Sequence, residues 1–166
     1  MKPKATLCKK TNFFDLTYSE LEGIFKTTGQ ERFRAKQLCD WVYRRLTVDP
    51  SLMLNLPQDL RRMLNDAFVF CIPEIECVSH SKLDNSYKFL LKTNDGKLIE
   101  SILMIKEKRS TICISCMIGC PLACKFCATG SEIGFVKNLS PAEIIGRVFA
   151  ITCFAQENDV CEQITN

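Results

Sequence analysis

The stretch "TICISCMIGCPLACKFCATGSEIGF", residues 111–135, holds five of the chain's eleven cysteines. Three of them, Cys120, Cys124 and Cys127, stand in the spacing C-x3-C-x2-C. A short β-branched strand, "STICIS" at 110–115, leads into the stretch. After it, Ser140-Pro141-Ala142-Glu143 combines an N-cap serine, a proline at the first helical position and a glutamate at the third, followed by Ile144, Ile145, Val148, Phe149 and Ile151. Strand, long loop and helix make one βα unit, with the cysteines at the C-terminal end of its strand. In parallel α/β folds, chemistry gathers at that end.

Three thiolates within eight residues can surround one metal centre. A structural zinc ion wants four ligands, so Cys113 or Cys116 would complete its tetrahedron. A [4Fe-4S] cluster on three cysteines instead leaves one iron open to bind a substrate. Zinc pairs usually come as two separated C-x2-C knuckles, and only one occurs here. Phe126 is expected to shield the centre from solvent, and Gly119 and Pro121 to shape the loop around the first ligand.

The remaining composition narrows the class. The chain has 166 residues, of which 46% are apolar and 25% charged, as in an ordinary globular protein. No run of roughly 18 apolar residues suggests a membrane span. "MKPKATLCKK" lacks the apolar core of a signal peptide, and the cysteine number is odd, so the reading is cytoplasmic, where clustered cysteines serve metals or redox chemistry. Up to residue 70, twelve Lys and Arg face eight Asp and Glu, against ten and eleven afterwards. This modest basic bias suits RNA contact as well as an ordinary solvated surface.

Thr17 and Glu20 form a capping-box pattern that opens the helix "YSELEGIFKTT", which Gly29 ends. "RFRAKQLCDWVYRRL", with Ala35, Leu38, Val42 and Leu46 at helical spacing, predicts a second helix, and "PQDLRRMLNDAF" a third. In "SYKFLLK" Tyr87, Phe89 and Leu91 alternate with polar neighbours, and "NDG" at 94–96 turns into "KLIESILMI". The expected class is therefore α/β, α+β overall: a helical accessory domain over 1–72, then strands and the βα unit over 73–166.

"TICIS" at 111–115, "GCPLACKFCATG" at 119–130 and "GFVKNLSPAEIIGRV" at 134–148, together with "IESILMI" and "FRAKQLCDWVY", resemble the RlmN/Cfr family of radical S-adenosylmethionine (SAM) RNA adenosine methyltransferases. The C-x3-C-x2-C spacing is that superfamily's signature. The resemblance implies a [4Fe-4S] cluster on Cys120, Cys124 and Cys127, SAM bound at its open iron, and an external electron donor. It implies methylation of carbon 2 of an adenosine in ribosomal RNA, and of tRNA as a second substrate. The methyl group travels through a protein cysteine, Cys113 resolves the protein–RNA adduct, and Glu100 takes the ring proton. Glutamate within "KLIESILMI" is a poor strand former, and burial would raise its pKa toward that of a neutral-pH base. Without the resemblance, Cys113 reads equally as a small buried strand residue and Glu100 as an edge charge.

Arg34, Trp41 and Arg45 can share one helix stripe as an RNA face, although Trp41 beside Leu38 and Val42 reads better as core. His80, Cys8, Cys39, Cys71, Cys77, Cys153 and Cys161 carry no motif spacing. About 40 residues follow the cluster motif, whereas a (β/α) barrel takes on the order of 200. The family's SAM-binding Gly-Glu-Pro segment and its methyl-carrying cysteine have no counterpart here. The expectation is an incomplete radical-SAM barrel, inactive alone, completed by a second fragment, with an unpaired strand edge and an uncovered apolar face on helix 141–154. The rival readings are a zinc-stabilised RNA-binding module, an inactive remnant and a fragment of the carbon 8-specific relative.

Overall fold

The computed structural model describes residues 10–166, so the reading of the N-terminal decapeptide up to residue 9 and that of Cys8 lie outside the described residues. The chain divides into two compact units, one ending at Phe70 and one from Cys71 to Asn166.

In the first unit, α1 (Tyr18–Thr27) opens on the capping box: Thr17 Oγ1 accepts the Glu20 N–H at 3.3 Å, and Glu20 Oε2 accepts the Thr17 N–H at 2.7 Å. It closes at Gly29, whose φ of +73° lets Gly29 N–H reach Lys26 O and Gln30 N–H reach Phe25 O, the paired bonds of a Schellman motif. The second predicted helix is two pieces. α2 (Phe33–Cys39) passes into a π-turn over Asp40–Arg44, where Arg45 N–H bonds to Asp40 O across five residues. Ala35, Leu38 and Val42 are buried as their spacing predicts, and so are Leu60 and Leu64 of α3 (Gln58–Ala67).

Two features of this unit carry no helical period. β1 (Thr11–Asn12) pairs in parallel with β2 (Phe68–Val69), joining the two ends of the unit. Phe13, Phe14, Phe68, Phe70 and Tyr43 pack edge-on or tilted with ring centroids 5.1–6.2 Å apart.

The second unit is an antiparallel meander, β3 (Glu74–Ser81), β4 (Ser86–Lys92), β5 (Leu98–Lys106) and β6 (Arg109–Ile114), in that spatial order. Strand alternation sends Phe89, Leu91, Ile99 and Leu103 to one face, where they meet Ala150, Ile151 and Ala155 of α4 (Pro141–Glu157). Each fully buried Leu, Ile or Phe contributes about 1.5–3 kcal/mol relative to exposure. The helix starts as read: Ser140 N–H donates to Glu143 Oε2 at 2.9 Å, and Ser140 Oγ accepts the Glu143 N–H at 3.2 Å.

The apolar face of α4 is thus covered, contrary to expectation. The strand that precedes the cysteine stretch, β6, belongs to a four-stranded sheet, and the inner face of that sheet packs against the helix. The outer edge of β6 is also partly paired. Asn166 N–H donates to Ser110 O at 3.1 Å and Ile112 N–H to Asn166 O at 2.8 Å, the hydrogen-bond pattern of a parallel bridge at Thr111.

Candidate metal centre

The cysteine stretch folds as a hairpin, a feature that strand, loop and helix alone did not reveal. β7 (Met117–Gly119) pairs antiparallel with β8 (Phe135–Asn138), and residues 120–134 form the excursion between them. Cys120 N–H donates to Gly134 O at 2.9 Å, and Leu139 N–H to Cys116 O at 2.9 Å, closing the hairpin at both ends. Inside it, Cys127 N–H donates to Cys124 O at 3.0 Å, and Ser131 donates to Cys127 O through both N–H and Oγ at 2.9 Å.

Cys120, Cys124 and Cys127 are all half-buried. Among the described residues, no three Cys, His, Asp or Glu side chains already converge to hold a metal ion. The donor chemistry nonetheless fits a sulfur-ligated centre. From Cys116 to Ser131 the segment contains no carboxylate and no imidazole, so thiolate is its only strong ligand type. Such donors select iron–sulfur clusters or zinc. Phe126 does not shield the triplet: the residue is 93% exposed, because an excursion this short has no core of its own to fold it into.

Glu100 and Cys113 lie on the sheet face opposite α4. Cys113 pairs with Ile102, two residues along β5 from Glu100, and period-two alternation puts the three on one side. Cys113 is exposed, not a buried strand residue. Glu100 is also open to solvent, its side chain 59% exposed and 2.9 Å from Lys88 Nζ on the adjacent strand. The burial expected of Glu100 is absent, since its carboxylate is turned to solvent and to Lys88. Glu100 nevertheless shares a cavity of about 540 Å³ with Cys120, Ser115, Thr129 and Ile118.

In the first unit, the Arg45 guanidinium lies 4.3 Å over the ring of Trp41, whose indole N–H donates to Asn55 Oδ1. Trp41 is half-buried, neither core nor free. Arg34 does not join them. It stacks on Phe33 at 4.7 Å and donates to Gln37 at 2.7 Å.

Two cations beside the hairpin escaped the sequence reading. Lys137 on β8 bridges Asp95 and Glu143, each at 2.6 Å. The Lys137 ammonium, with help from the Thr93 hydroxyl, holds Asp95 down at about 2. Arg147 of α4 is completely buried, and desolvation pushes its pKa down. Its signal was an arginine on the apolar stripe between Ile144 and Ile151.

Comparison with known proteins decides the kinship. A family model described as "Ribosomal RNA large subunit methyltransferase N-terminal domain" matches residues 11–70. The chain is 40% identical over 141 residues to a probable dual-specificity RNA methyltransferase RlmN of Petrotoga mobilis, covering 84% of this chain and 40% of the relative. A like-named protein of Clostridium botulinum is 35% identical over 93% of this chain and 44% of its own length. The chain belongs to the RlmN/Cfr family. It spans about two fifths of the length of the curated relatives it matches. A crystal structure of a radical SAM methyltransferase from Sphaerobacter thermophilus superposes with a TM-score of 0.80 at 35% identity, over 94% of this chain and 45% of that one. The mixture of helix and strand in this chain is therefore one that a solved radical SAM methyltransferase shares over part of its length. No helix among the described residues is long and apolar enough to cross a membrane.

Proposed function

We propose that these residues supply the cluster loop, the general base and the resolving thiol of a cytoplasmic radical-SAM enzyme that methylates carbon 2 of an adenosine in large-subunit ribosomal RNA, with tRNA as a second substrate. The activity is that of the whole-length enzyme. A second fragment in trans is one source of the remaining barrel. The carrying observation is the cysteine hairpin, tied at both ends and adjoining the cavity that Cys120 shares with Glu100.

Cys120, Cys124 and Cys127 would hold a [4Fe-4S] cluster through their thiolates. The bound cluster would supply the reductive cleavage of SAM, with its electron coming from an external donor. The chain's own residues do the rest of the chemistry on this face. Glu100 accepts a proton at its carboxylate as the substituted adenine regains its aromatic ring. Cys113 Sγ, as its thiolate, attacks the sulfur of the carrier cysteine: the S–S bond forms, the bond from that sulfur to the methylene carbon breaks, and the carbon takes up a proton as the methylated base leaves. Lys88 positions Glu100 by holding it toward β4.

Anaerobic reconstitution of the chain and of Cys124→Ala, followed by iron, sulfide and zinc analysis with a visible spectrum, tests the reading. About four irons and four sulfides per chain, lost in the variant, are expected. Stoichiometric zinc, or no metal in either protein, overturns it.

A further inference from the structure

Arg147 is the largest fully buried side chain in the described structure. All its hydrogen bonds go to neutral oxygens. Nη2 donates to the Ser115 carbonyl, Nη1 to Ser101 Oγ at 3.4 Å and to Ser115 Oγ at 3.5 Å, and Nε to the Glu143 carbonyl at 3.2 Å. The Glu143 carboxylate is occupied elsewhere, by Lys137 and by the helix cap. The carboxylate attracts Arg147 without bonding it, and a buried cation bonded to neutral oxygens alone costs several kcal/mol that a methionine or leucine would not, so packing alone does not account for it.

What the guanidinium holds is the approach to the cysteine hairpin. Ser115 is the second residue before β7, and it lines the cavity shared by Cys120 and Glu100. The other limb of the hairpin is fastened to the same helix, because Lys137 on β8 pairs with Glu143. One face of the first two turns of α4 therefore anchors both limbs.

We infer that Arg147 is a positioning residue for the cysteine hairpin: it fixes the Ser115 carbonyl where the chain enters β7, and sets a permanent positive charge behind the cavity wall beside Cys120. The mechanical half stands on the fold alone, while the electrostatic half rests on the reading of residues 120–134 as a cluster loop. A fixed positive charge favours the more reduced state of a nearby centre, so its removal lowers the midpoint potential.

The test uses the full chain with Arg147→Met and Arg147→Lys. Amide hydrogen exchange on metal-free protein is expected to show at least about tenfold faster exchange at Ile118, Cys120 and Leu139 in both variants, with β4 and β5 amides unchanged. After reconstitution, the cluster of Arg147→Met is expected at a lower midpoint potential than wild type, and Arg147→Lys close to wild type. Unchanged exchange in the hairpin, exchange accelerated equally in hairpin and sheet, or an unchanged potential in Arg147→Met overturns the inference. If Arg147→Met does not fold, exchange in Arg147→Lys decides. A wild-type chain that takes up no iron sinks the cluster reading, and metal-free exchange then judges Arg147 by itself.

Discussion

A side-chain carbon on Gly119 would stand 1.7 Å from the carbonyl oxygen of Gly134, inside the van der Waals envelope, while that same oxygen accepts the N–H of Cys120 at 2.9 Å. Gly119 also sits at φ +74°, in the left-handed region. The residue before the first cysteine is glycine because the hairpin closes through its missing side chain.

Gly119→Ala is expected to destabilise the second unit by at least ~2 kcal/mol, from left-handed strain plus the clash. It should also abolish metal uptake by the cysteine triplet. Gly23→Ala, in the exposed interior of α1 with nothing within 4 Å of the added carbon, should stabilise by about 0.5–1 kcal/mol instead. Urea denaturation of both variants checks the contrast.

Asp95 gives the second unit an acid sensitivity. Its folded pKa, about 2, is below the ordinary 3.8, so the contribution of its bonds is complete above pH 3.8 and is lost as pH falls through about 2. Stability should therefore rise with pH between about 2 and 4, with a shallower slope in Asp95→Asn. Lys137 runs the other way: its pKa is raised, so its contribution is lost only as pH climbs above the usual lysine range. Denaturation midpoints across an acid pH series, at low and high salt, measure the effect.

Ile151 is fully buried between α4 and the sheet, whereas Leu83 in the β3–β4 turn is 100% exposed. Ile151→Ala is expected to cost about 2–5 kcal/mol, and Leu83→Ala to stay within about 0.5 kcal/mol of wild type. Urea midpoints at an unchanged denaturant slope test both.

Glu100→Gln separates structure from chemistry. The Lys88–Glu100 pair is exposed on both sides, so its loss should change stability by less than about 1 kcal/mol. The same substitution in the whole-length enzyme should cut methyl transfer by about a hundredfold or more, as expected for removal of a general base. A large drop in melting temperature with activity retained would assign Glu100 to the sheet instead.

Much of this was legible locally. The Thr17–Glu20 and Ser140–Glu143 caps, the Gly29 stop and the turn at Asn94-Asp95-Gly96 each follow from bonds within a few residues, and all appear in the structure. The cysteine spacing was legible for the same reason, because all three members lie on one loop, while the family resemblance needed the segments on either side and the helical module as well. β3 was missed because Glu74–Ser81 faces solvent at most positions and alternates weakly, with a bulge between Ile75 and Cys77 breaking its period. The β7–β8 hairpin was missed because its limbs are short and separated by fifteen residues.

The amino-acid sequence by itself determined the first, third and last helices, the caps of α1 and α4, the alternation of β4 and the donor types of residues 116–131, since these depend on backbone preference, on period and on composition. Only the tertiary structure decided that Glu100 stays in water beside Lys88, that Phe126 is uncovered, and that Arg147 is sealed under Ser115. Exposure and partnership at those positions depend on which distant surface arrives at each side chain, and no local pattern of residues encodes that.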